Sequence, residues 1–106
     1  MISTKLASAV LETKVKSVKQ DGNEIEFFGE NFQSLGKYNI YEFIHKNIKD
    51  WLYVEGETFL SGISKSGNCI ANRLTKDYWT IHDNFKGETE IEALVKLSES
   101  VLNDNS

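Results

Sequence analysis

The sequence predicts an α+β domain with the order N-terminal β-hairpin, helix, three-stranded antiparallel meander and C-terminal helix, the helices packed on one sheet face. Three observations predict it. Asn39-Ile40-Tyr41-Glu42 and Thr89-Glu90-Ile91-Glu92 each place a capping residue three positions before a glutamate, at the head of an apolar helical stripe. Asp21-Gly22-Asn23 is a tight-turn signal between two strand-like runs. Three short runs bounded by polar turns fill the stretch between the helices.

Taken in order, Ser3 to Leu11 suits either a short helix, through Leu6, Ala9 and Val10, or an extension of the strand that follows. Residues 14–19 carry Lys14, Lys16 and Lys19 around Val15 and Val18, and 24–28 read Glu-Ile-Glu-Phe-Phe. Their pairing across Gly22 makes a hairpin with lysines facing glutamates, each pair worth a few tenths to ~1 kcal/mol. Residues 29–38 read as a loop. The first helix follows, with Ile40, Phe43, Ile44, Ile48, Trp51 and Leu52 on one stripe and Gly56 near its end. Thr58–Ser64, Cys69–Leu74 and Tyr78–His82 form the meander. Ile91, Leu94, Val95, Val101 and Leu102 line the last helix. The predicted core joins Ile40, Phe43, Ile44, Ile48, Leu52, Leu94, Val95 and Val101 to Ile70, Leu74 and Ile81. Residues 1–106 read as one domain, with 1–38 as a hairpin extension and 39–103 as the helix–meander–helix core.

Composition narrows the function classes. Twelve basic and sixteen acidic residues leave a net charge of −4, which argues against a dominant phosphate-binding surface. The single cysteine, Cys69, excludes an intrachain disulfide. No apolar run reaches the ~18–20 residues of a membrane span. Ala7-Ser8-Ala9 imitates a signal-peptidase site, but Ser3, Thr4 and Lys5 stand where an apolar region is required. The expectation is a cytoplasmic protein.

Chemistry-bearing residues are few. His45, His82 and Cys69 are not spaced as a metal clip, and neither a phosphate-binding glycine loop nor a Walker-type motif occurs. A nucleophile at Cys69 would need His82 alongside, across the Thr75–Asp77 turn. No glycine-rich oxyanion loop follows Cys69, and its neighbours Ile70 and Ala71 favour a packed strand. The sequence therefore predicts no catalytic residue, metal or cofactor. Tyr78, Thr80 and His82 alternate on one strand face, which with Arg73 offers a stacking surface for nucleic acid.

The phrase Asn39-Ile40-Tyr41-Glu42-Phe43-Ile44-His45-Lys46, running on to Lys49 and Trp51, resembles small uncharacterised proteins encoded in bacteriophages and prophages. In that group a similar helix is followed by two or three strands, and a phrase like Phe85-Lys86-Gly87-Glu88-Thr89-Glu90 opens a terminal helix. Here the likeness covers about residues 39–103, preceded by 38 residues that the group usually lacks. The last helix also lacks the group's closing aromatic. The resemblance implies mobile-element origin and transfers no catalytic residue.

The functional expectation is a non-enzymatic acidic protein that occupies another macromolecule. Its partner is a host defence nuclease complex, bound by an anti-CRISPR-type inhibitor, or a toxin bound by its immunity protein. Charge complementarity to a basic groove speeds such association. The expected contact residues are Glu24, Glu26, Glu30, Asp50, Glu55 and Glu57, acids with no evident local duty, unlike the capping Glu42, Glu88 and Glu92. The alternative is a nucleic-acid-binding or regulatory module using the lysine hairpin with Arg73, Tyr78 and His82.

Overall fold

The computed structural model describes residues 2–64, 67–74 and 80–104, without the side chain of His82. It is α+β, built from two three-stranded antiparallel sheets and helices at the beginning, middle and end of the chain. The chain divides into two compact units, Ile2–Asp50 and Trp51–Ser106.

In the first unit the ambiguous N-terminal segment is a helix, α1 (Thr4–Leu11). Ser3 caps it, its side chain accepting from the Leu6 N–H at 3.0 Å. Glu12 ends it in the left-handed conformation at φ 56°. Ser8 then ties the helix to the exit chain, accepting from the Val15 N–H at 2.9 Å and donating to the Thr4 carbonyl at 2.7 Å. The expected hairpin forms as β1 (Ser17–Asp21) and β2 (Glu24–Phe28), turning at Gly22 with φ 60°.

The stretch read as a loop holds a third strand, β3 (Ser34–Asn39), paired with β2. Its turn is the reason that sequence patterning missed it. Asn31 and Phe32 both take positive φ, 56° and 60°, and the Gln33 N–H reaches the Glu30 carbonyl at 3.2 Å. Two successive positive φ angles are the mark of a type I′ turn, which normally carries Asn-Gly. Here phenylalanine stands in the glycine position, so the usual signal is absent.

Asn39 closes β3 and caps the next helix, accepting from the N–H groups of Tyr41 at 2.9 Å and Glu42 at 3.3 Å. That helix runs as α2 (Ile40–Glu42), a π-helical stretch (Phe43–Ile48) and α3 (Lys49–Val54); the boundary between the units falls within α3. Phe43 packs on the sheet beside Phe27 and Tyr38, with ring centroids 4.8 and 5.1 Å away. Ile2, Leu6, Ala7, Val15, Ile25, Phe27, Ile40, Phe43, Ile44 and Ile48 are buried.

The second unit is a meander of β4 (Thr58–Ile63), β5 (Cys69–Leu74) and β6 (Ile81–Gly87), followed by α4 (Glu90–Asp104). Helix α4 packs on this sheet and buries Ala93, Leu94, Val95, Leu97 and Val101. Thr89 caps it through a 3.1 Å bond from the Glu92 N–H, while Glu92 reaches back to the Glu88 N–H at 3.3 Å, one residue before the cap. A Cβ on Gly87 would lie 2.8 Å from the Ala93 N, so only glycine lets β6 approach the first turn of α4 this closely.

Two expectations need correction. The third meander strand, expected to end at His82, runs through Ile81–Gly87; Tyr78 and Trp79 fall outside the described residues. Ile81 is 54% exposed instead of buried, because it pairs with Leu74 on the sheet face opposite α4. Ile70 and Leu74, also assigned to the core, are only half-buried.

Candidate functional site

Strand parity places the charges of the first unit. Lys19, Glu26 and Lys37 stand side by side across β1, β2 and β3, and Asp21, Glu24 and Asn39 form the neighbouring row. Ile25 and Phe27, which alternate with Glu24 and Glu26 along β2, are buried on its other face. Lys37 Nζ lies 3.0 Å from Glu24 Oε2, and the hydrogen bond and charge of Glu24 hold the ammonium above the ordinary lysine range. Ser34 Oγ donates to Glu26 Oε2 at 2.7 Å. Glu30 faces Lys16 at 3.5 Å and Lys14 at 3.9 Å. Lys19, Asp21, Glu24, Glu26 and Lys37 line a shallow depression on this face. The three acids nominated here thus have local partners, and the surface they form is of mixed sign.

Glu57 is further still from a free acid. Arg73 donates to it through Nε at 2.9 Å and Nη2 at 2.6 Å, a bidentate fork, and through Nη1 to Asp104. The side chains of Arg73 and Glu57 are only 12% and 13% exposed. The Glu57 hydrogen bonds come first in raising the Arg73 pKa above its already high ordinary value; Asp104 adds to this and burial opposes it. This clamp joins the entrance of β4 to β5 and to the end of α4. Arg73, nominated as a cation for nucleic acid, has its guanidinium engaged by two carboxylates.

Asp50 and Glu55 are exposed, Asp50 four residues before the continuous helix ends at Val54 and Glu55 just beyond it. Tyr78 and the His82 side chain lie outside the described residues. The backbone register separates His82 from Cys69: Cys69 pairs with Gly87, and Arg73 with Asp83. Four residues of strand are about 13 Å, so the alignment with His82 that a nucleophilic Cys69 would need is not formed by the register. Cys69 is half-buried and donates weakly to the Glu88 carbonyl at 3.7 Å. His45 is exposed on the π-helical stretch. Among the described residues no group of three or more His, Cys, Asp or Glu could hold a metal ion, and no helix is long and apolar enough to cross a membrane.

Charge is divided unevenly between the two compact units. Residues 1–50 hold seven lysines and seven acids; residues 51–106 hold five bases and nine acids, so the second unit carries the whole −4. The same unit exposes Tyr53, Val54, Leu60, Ile63 and Ile81, whereas the first exposes only Phe32 and Tyr41 among the large hydrophobics described. Register puts Leu60, Ile70, Leu74 and Ile81 on the sheet face away from α4, around Asn72, whose buried Oδ1 accepts no hydrogen bond. Sequence reasoning missed this face because an apolar run without polar alternation looks like a strand buried on both sides.

No known protein family, curated protein or solved structure matches the chain.

Proposed function

We propose that this chain is a non-enzymatic binding protein of phage or other mobile-element origin. It inhibits a host defence nuclease complex, or neutralises a toxin, by occupying a basic surface of that protein. One observation carries the reading: residues 51–106 combine the entire net negative charge with five of the seven large hydrophobics exposed among the described residues. Apolar area supplies binding free energy, and surrounding charge of one sign selects and steers a partner of the opposite sign. Exposed Tyr53 and Val54, next to Glu55, bring both features together within three consecutive residues. The geometry gives less support to nucleic acid, since Arg73 is clamped and Lys14, Lys16 and Lys37 lie against carboxylates.

Affinity capture with the purified protein, followed by mass spectrometry and nucleic-acid titration, tests this reading. The expected result is stoichiometric recovery of a basic protein, lost when Tyr53 and Val54 are both changed to Ser. Sub-micromolar binding to single- or double-stranded nucleic acid, weakening steeply with salt through counterion release, would overturn it.

A further inference from the structure

Each sheet has two edge strands, and an edge presents unpaired N–H and C=O groups to any strand able to align with them. Three of the four edges carry devices that discourage such pairing. Strand β1 holds Lys19 and Asp21, and β3 holds Lys37 and faces an irregular register with β2. Strand β6 holds Asp83 and Lys86, and its register shifts beside Arg73 and Leu74. Strand β4 has neither device. Its six residues, Thr58-Phe59-Leu60-Ser61-Gly62-Ile63, include no charge and no proline, pair with β5 without a shift, and leave Leu60 61% and Ile63 74% exposed.

We propose that two copies of this chain associate by antiparallel pairing of their β4 strands, which joins the two meanders into one six-stranded sheet. The occupant follows from charge and symmetry. The unit that carries β4 is acidic, so two copies repel across most of its surface; the uncharged strand is where they can meet without opposing like charges. Antiparallel pairing of a strand with itself matches each outward donor to an acceptor about a two-fold axis, and the contact closes at two copies. That axis runs normal to the sheet, so side chains on one face remain together. The two registers that pair most of the strand set Leu60 opposite Leu60 of the other copy, or opposite its Gly62. Both bury the exposed leucine, and both keep the two α4 helices on the same side. This inference goes beyond the proposed inhibition and does not depend on it.

Analytical ultracentrifugation of the whole chain from low micromolar to several hundred micromolar tests it. The expected mass rises from one chain to two and stops there. Leu60→Lys combined with Ile63→Ser sets the two new lysines opposite or diagonal to each other across the joint in either register and should weaken dimerisation by more than about tenfold, with an unchanged far-UV circular dichroism spectrum. Gln20→Lys, on the edge strand β1, should leave it unaltered. Amide exchange gives a second reading on the unaltered chain: protection at Phe59–Ile63 should increase with concentration while that of β1 does not. A one-chain mass throughout, growth beyond two, a double variant that dimerises like the parent, or concentration-independent exchange in β4 would each overturn the proposal.

Discussion

Residues 2–50 and 51–106 are made from similar parts, a three-stranded antiparallel sheet with helical cover, yet they handle charge and apolar surface in opposite ways. The first unit balances its charges and sets a row of alternating sign, Lys19–Glu26–Lys37, beside the acids Asp21 and Glu24 on one sheet face, with a cluster of Phe27, Tyr38 and Phe43 beneath. The second concentrates its best ion pairs at one clamp, Glu57–Arg73–Asp104, and leaves an acid excess and an apolar sheet face exposed. Net charge per stretch of sequence is therefore a poor guide to a binding surface. An acid counts toward one only after its local partners have been subtracted.

The largest effects should come from the two cores. Phe43→Ala removes the ring at the centre of the aromatic cluster and should cost about 3–5 kcal/mol in urea unfolding. A loss below ~1 kcal/mol would show that the first unit does not depend on that cluster. The clamp comes next. Arg73→Met strips the partner from a nearly buried Glu57, and with Asp104 half-exposed the loss should be about 2–4 kcal/mol. Glu24→Gln combined with Glu26→Gln, which removes cross-strand charge pairs without setting lysines side by side, should cost no more than about 1 kcal/mol. Equal losses from the two changes would erase the contrast drawn between the units.

A smaller effect has the opposite sign. Phe32 is 86% exposed and holds φ 60°, a conformation that costs a side-chain-bearing residue about 1–2 kcal/mol and glycine almost nothing. Phe32→Gly should therefore stabilise the chain by about 1 kcal/mol, measured by the same urea titration, whereas destabilisation would mean that the ring contributes packing. The least effect is on pH dependence, and it differs in direction between the units. Lys37 is held above the ordinary lysine range, mainly by Glu24, so its stabilisation is present below that range and fades as pH rises through the higher folded value. Glu92 is held below the ordinary carboxylate range, first by the Glu88 N–H and then by Lys96. Its stabilisation is present at neutral pH and fades as pH falls through the lowered value. Lys37→Met should flatten only the alkaline limb of a melting-temperature profile, and Glu92→Gln only the acid limb.

Much of this fold is legible in the sequence, for identifiable reasons. Asn39 and Thr89 cap helices where the spacing to Glu42 and Glu92 says they should, and the stripe from Ile40 to Leu52 is buried as its period requires. The Gly22 turn makes its hairpin. Strand β3 was hidden by a turn that breaks the usual residue rule, and β6 runs on past its expected end at His82 through the polar stretch Asp83–Gly87. The candidate site was far less legible. Glu57 and Arg73 lie sixteen positions apart, and nothing in their spacing announces a fork; only the β4–β5 register brings them together. Leu60 and Ile81 have the composition of core residues, and their exposure depends on which sheet face α4 covers.

The central claim is that the second unit, with its unbalanced charge, makes the contact with the partner. Its most direct test is the association rate with the captured partner at low salt, for two matched double reversals. Glu55→Lys with Glu88→Lys alters exposed acids of residues 51–106, and Glu24→Lys with Glu26→Lys alters the balanced face of residues 2–50. The account predicts association slowed by about tenfold or more in the first and within about twofold of the parent in the second. A slowing confined to the second variant would contradict it and return the binding surface to the lysine–glutamate rows of the N-terminal sheet.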